Sequence, residues 1–102
     1  RKDHMTIEKK VDNDSVEIVL VGKLDTKTAP LLDLEMADLT DMCFVEMDFA
    51  KLDYVSSAGL RVLLKVQRHM NASGGKFVIR NVNDAVMEVF EITGFADILT
   101  IV

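Results

Sequence analysis

Phe44-Val45-Glu46-Met47-Asp48-Phe49 and Lys76-Phe77-Val78-Ile79-Arg80 are two short apolar runs. Between them stand Ser56-Ser57-Ala58-Gly59 and a helix-periodic stretch from Leu60 to Met70. The outer runs read as strands, the second bounded by Gly74 and Gly75. Leu60, Leu63, Leu64 and Gln67 recur at helical spacing, either serine can cap that helix, and Asn71, Ser73, Gly74 and Gly75 stop it. Strand, helix and strand joined by short connections predict two parallel strands bridged by a right-handed crossover. The rest of the chain has to extend that unit.

Upstream, Ile7, Lys9 and Val11 alternate with polar residues, Asp12-Asn13-Asp14 turns the chain, and Val16 to Val21 follows as a more buried strand ended by Gly22, so a hairpin opens the fold. Pro30 suits the first turn of a helix. Leu31, Leu32, Leu34, Met36 and Leu39 are expected mostly on one side of that helix, and Asp33, Glu35, Asp38 and Asp41 largely on the other, which predicts an amphipathic helix with an acidic outer face. Downstream, Asn81 to Asp84 reads as a loop and Ala85 to Ile92 as a helix burying Val86, Val89 and Phe90. Thr93-Gly94 closes it, and Ile98 to Val102 is expected as a last strand. The predicted class is α/β: a single-layer, mixed, mostly parallel β-sheet with an initial hairpin, packed against helices. One domain is expected over residues 5–102, with Met5 as the natural start and residues 1–4 an appended remnant.

Composition narrows the function. Hydrophobic residues make up 49% and charged residues 28% of the 102, the balance of a folded domain that buries roughly 60 to 65% of its unfolded surface. A net charge of −5 argues against a mainly electrostatic grip on nucleic acid or anionic lipid. Cys43 is the sole cysteine, so no internal disulfide can form, and no run reaches the ~18 apolar residues of a membrane helix. A cytoplasmic location without membrane insertion is the expectation.

Motifs for catalysis are sparse. The glycines are scattered, with no phosphate-cradling loop. His69 lies twelve residues along the helix from Ser57, a gap of roughly 18 Å at 1.5 Å per residue, and so cannot serve that serine as a base. No enzyme, cofactor or metal is expected, although Asp25, Asp48 and Asp53 could converge at the carboxyl ends of parallel strands; capping of turns and helices is their default reading. Arg61, Lys65 and Arg68 form a basic stripe on the helix, by default solvated and alternatively facing a partner. Tyr54 is expected to pack in the loop beneath that helix. One cap explains one serine. The second hydroxyl, at a helix N-terminus beyond a strand, suits a phosphorylation switch, because free N–H groups and the helix dipole favour a phosphate there.

Three segments carry a resemblance: Gly22-Lys23-Leu24-Asp25 with Thr28-Ala29; Leu52-Asp53-Tyr54-Val55-Ser56-Ser57-Ala58-Gly59-Leu60; and Phe90-Glu91-Ile92-Thr93-Gly94-Phe95. In this order, from about Thr6 to Val102, they resemble the STAS domain of anti-sigma factor antagonists and sulfate transporters. For stand-alone domains the resemblance implies transcriptional regulation by partner switching. The unphosphorylated antagonist binds an anti-sigma factor with a histidine-kinase-like ATPase fold, which can act as its serine kinase, and a serine phosphatase resets it. Carried onto this chain, the resemblance makes Ser57 the phosphoacceptor, with Ser56 the fallback because it stands where many antagonists have Asp. The partner-binding surface is then expected to include Asp25, Asp53, Tyr54, Ser56, Ser57, Ala58, Gly59, Arg61 and Lys65. Two other readings stay open: an accessory subunit of a lipid or anion transport system, and a module sensing a small anion or nucleotide at the start of the Ser57 helix. The sequence also stops at Val102, before the helix that usually follows the family's last strand.

Overall fold

A computed structural model describes residues 5–102, so the reading of residues 1–4 as a remnant lies outside the described residues. Strands β1 (Thr6–Asp12) and β2 (Ser15–Leu24) form the hairpin, followed by α1 (Ala29–Ala37), β3 (Phe44–Val55), α2 (Ser57–Ser73), β4 (Lys76–Arg80) and α3 (Asp84–Thr93). The sheet order is β1-β2-β3-β4, antiparallel between β1 and β2 and parallel thereafter. Asn13 turns the hairpin at a φ of 58°, a left-handed conformation that Asn tolerates well. The two crossovers step the same way across the sheet, so right-handed connections put α1 and α2 on one face.

Burial follows that geometry. Val16, Ile18 and Leu20 of β2, Val45, Met47 and Phe49 of β3, and Phe77 and Ile79 of β4 are all buried, while Glu17, Glu46 and Asp48 alternate with them on the more open face. Phe90 of α3 packs on Phe49 with ring centroids 6.4 Å apart. Helix α2 supplies Leu60, Leu63, Val66 and Met70 to the same core and ends at Gly74, whose φ of 79° suits a residue without a side chain. Among the described residues, no helix is long and apolar enough to cross a membrane.

Five expectations need correction. Gly22 does not end β2. It sits inside the strand at a φ of 111°, beside a break in the β2–β3 register. Strand β3 runs to Val55 where a loop was expected. Its pairing jumps from Asp48↔Val19 to Lys51↔Val21 and from Leu52↔Gly22 to Tyr54↔Lys23, so β3 twice carries one residue more than β2. These bulges bury Phe49, Leu52 and Val55 at every third position, and the two-residue rhythm that marks a strand disappears. Tyr54 therefore points outward from a strand, 48% exposed, and does not pack beneath α2.

The other two corrections concern α1 and the C-terminal segment. Helix α1 is not cleanly amphipathic, because Ala29, Leu32 and Met36 face the core while Leu31 and Leu34 are exposed. The terminal strand shrinks to one parallel bridge, Ile79↔Ile101, preceded by a short 3-10 turn at Phe95–Asp97. The Ile79 N–H donates to Thr100 O at 2.9 Å and the Val102 N–H to Ile79 O at 3.0 Å. With Leu99 as the buried side chain of this segment, packing holds one residue pair in strand geometry and no more.

Candidate functional site

The exposed residues singled out from sequence gather at the carboxyl ends of β2 and β3, where open parallel sheets place their sites. The Ser56 N–H donates to Leu24 O at 2.8 Å, joining the start of α2 to the end of β2. Gly59 is buried against the same residue. A Cβ there would stand 2.7 Å from Leu24 Cγ and 2.9 Å from Leu24 O. The first turn of α2 thus lies directly on the β2–α1 junction.

That junction closes on itself through Asp25 and Thr28. The Asp25 N–H donates to Thr28 Oγ1 at 2.8 Å, and the Thr28 hydroxyl donates to Lys23 O at 2.7 Å. In return, Asp25 Oδ1 accepts from the Lys27 and Thr28 N–H groups at 3.0 and 3.1 Å. The Thr28 N–H, then that of Lys27, hold the Asp25 carboxyl below its ordinary value against the opposing effect of desolvation. Asp25 is thereby an ionised, half-buried corner of the surface.

The two serines take different roles. Ser56 is the N-cap of α2, its Oγ accepting from the Gly59 N–H at 3.3 Å, whereas Ser57 is the first helical residue and exposed. Among the described residues the Ser57 hydroxyl makes no side-chain hydrogen bond. Ala58 is half-buried, and Asp53, Tyr54 and Arg61 are exposed around the junction. Lys65 reaches across to Asp33 of α1 at 3.1 Å.

Other sequence candidates lie elsewhere. Asp48 Oδ1 accepts from the Ala50 N–H at 2.9 Å and from Asn81 Nδ2 at 3.0 Å, contacts that lower its pKa. It stabilises the first bulge of β3, and among the described residues no group of three His, Cys, Asp or Glu side chains could share a metal. His69 Nε2 lies 2.7 Å from Thr40 O, so that nitrogen carries its proton and donates to the turn between α1 and β3. Thr28 stood in the sequence only as part of the resemblance, with no role assigned, and Asn83 was not singled out. Asn83 caps α3 through the Val86 N–H and donates from Nδ2 to Leu52 O at 2.9 Å, fastening the second half of β3. The Asn81-to-Asp84 loop composition was its one visible signal.

The STAS domain family model matches residues 6–102. The chain belongs to the STAS domain family. This STAS domain is 35% identical over 98 residues to BtrV of Bordetella bronchiseptica, which carries the name of an anti-sigma factor antagonist; the match covers 90% of this chain and 84% of BtrV. A solved Thermotoga maritima structure superposes with a TM-score of 0.86 at 20% identity, covering 93% of this chain and 84% of that one. The phosphorylated form of the Bacillus cell fate determinant SpoIIAA superposes with a TM-score of 0.75 at 19% identity, covering 95% and 91%. Both structures share the fold of this STAS domain, a four-stranded mixed sheet with three helices.

Proposed function

We propose that this STAS domain is an anti-sigma factor antagonist. Unphosphorylated, it binds an anti-sigma factor of histidine-kinase-like ATPase fold, and phosphorylation of Ser57 releases it. The observation that carries this reading is the division of labour at the start of α2: Ser56 is engaged as the cap, and Ser57 stands exposed with its hydroxyl uncommitted. Support for the antagonist class comes from BtrV, and the phosphorylated SpoIIAA structure supplies a precedent in the same fold.

The switch follows from electrostatics. Transfer of the γ-phosphoryl group of ATP to Ser57 Oγ, with release of ADP and the hydroxyl proton, adds about −1.5 to −2 charge units. They arrive on a surface that already holds ionised Asp25 and exposed Asp53. A docked partner would have to bury that dianion or meet it with new cations, so binding weakens without refolding. The kinase is the partner itself, and a serine phosphatase restores the binding form.

The test is incubation with ATP and the anti-sigma factor of the same organism, followed by intact mass and peptide mapping. One phosphate on Ser57 is expected, with Ser57→Ala binding but unmodified and Ser57→Asp binding weakly. Phosphate on Ser56 would move the site. Equal binding by Ser57→Ala, Ser57→Asp and the parent would defeat the switch.

A further inference from the structure

The α1 leucines expected in the core stand outside it, Leu31 at 45% and Leu34 at 69% exposure. Leu34 follows Asp33, whose carboxylate crosses to Lys65 of α2, so the outer sides of α1 and α2 form one surface, whereas Leu31 lies one turn before Glu35, on the side of α1 that pairs with Lys9 of β1. On α2 this surface repeats at i, i+3, i+4 and i+7 through Arg61, Leu64, Lys65 and Arg68. A shallow groove of about 360 Å³ runs along it, with Asp33 on its α1 side. Lys65 is neutralised by Asp33, but Arg61 and Arg68 are exposed and have no ion-pair partner among the described residues. On a chain of net charge −5, unpaired guanidinium groups on either side of the half-buried Leu64 reverse the molecule's overall character locally.

We infer that this two-helix surface docks an acidic, amphipathic segment of the protein partner. The segment's apolar side chains cover Leu34 and Leu64, and its carboxylates meet Arg61 and Arg68. Guanidinium forks match carboxylates in bidentate geometry, which fits acidic side chains better than a diffuse field. The inference rests on the antagonist reading and extends the contact beyond the Ser57 junction by eleven residues of α2, roughly 16 Å. It also gives Arg61 two competing partners. A phosphate on Ser57 would lie one helical turn away at i, i+4 and draw that guanidinium from the docked segment.

The experiment measures affinity for the anti-sigma factor, at two salt concentrations, of the parent, Arg68→Glu, Leu34→Gln and the control Ile92→Gln, whose side chain is 77% exposed on α3. All three substitutions are at exposed positions, so the variants should melt with the parent. Arg68→Glu and Leu34→Gln are each expected to weaken binding about tenfold, the first also flattening the salt dependence, with Ile92→Gln unchanged. If both variants bind like the parent while Ser57→Asp does not, the docking surface is wrong and the antagonist reading stands. If the parent binds no anti-sigma factor, both fall. Binding to phosphatidylglycerol vesicles, or a dimer in sedimentation, that Arg68→Glu abolishes would overturn the inference in favour of a membrane or a second copy.

Discussion

Gly59 is where a single methyl group has the most to disturb. Its absent side chain leaves room for Leu24, and a Cβ at 2.7 Å from Leu24 Cγ and 2.9 Å from Leu24 O would have to move backbone as well as side chain. Gly59→Ala is therefore expected to lower unfolding free energy by about 1–3 kcal/mol in urea titration, despite the better helix propensity of alanine. The neighbouring serines should separate in the same assay. Ser56→Ala removes the cap on the Gly59 N–H and should cost about 1 kcal/mol, whereas Ser57→Ala should stay within about 0.5 kcal/mol of the parent. A reversed ranking would exchange their roles.

Helix α1 and strand β3 show what an element discloses in advance. Leu32 and Leu34 look alike in sequence, yet Leu32 is fully buried and Leu34 is 69% exposed. Leu32→Ala is expected to cost about 2–5 kcal/mol and Leu34→Ala under about 0.5 kcal/mol, read from denaturation midpoints. The α2 span was legible to within a residue because the serine pair, the leucine period and Gly74 agree on its ends, and the start of β3 because Val45, Met47 and Phe49 keep a two-residue rhythm. The second half of β3 was hidden, since the bulges make Leu52 and Val55 recur by threes, as in an irregular loop. The outward leucines of α1 were hidden for another reason: apolar content states a wish for burial and says nothing of whether the fold supplies a surface. At the site, Ser57 and Asp25 could be singled out from their neighbours, but which serine caps α2 depends on backbone direction at the end of β3.

Acidity acts on the molecule as a whole. Asp25 and Asp48 both ionise below the ordinary carboxylate value of 3.8 in the folded state. The unfolded chain then binds more protons in that window, so the stability these groups contribute is complete above it and is lost as pH falls through their folded values. Urea midpoints are expected to hold near pH 5 and decline toward pH 3, and Asp25→Asn with Asp48→Asn should flatten the decline. An unchanged slope in the double variant would assign the acid loss to other carboxylates. The proposed phosphorylation of Ser57 would change charge on the same scale, taking the chain from −5 to about −7. Because Ser57 is exposed, that change should alter partner affinity far more than melting temperature.

The bond from the Ser56 N–H to Leu24 O has a kinetic meaning as well. It makes the end of β2 and the beginning of α2 share one frame, so neither can open by itself without breaking it. In native-state hydrogen exchange the amides of Asp25, Thr28 and Ser56 should accordingly report a common opening free energy, distinct from the independent fraying of a surface turn. The candidate surface is thus a cooperative unit, present or absent as a whole, and a kinase acting on Ser57 as proposed would meet it only on a platform already assembled.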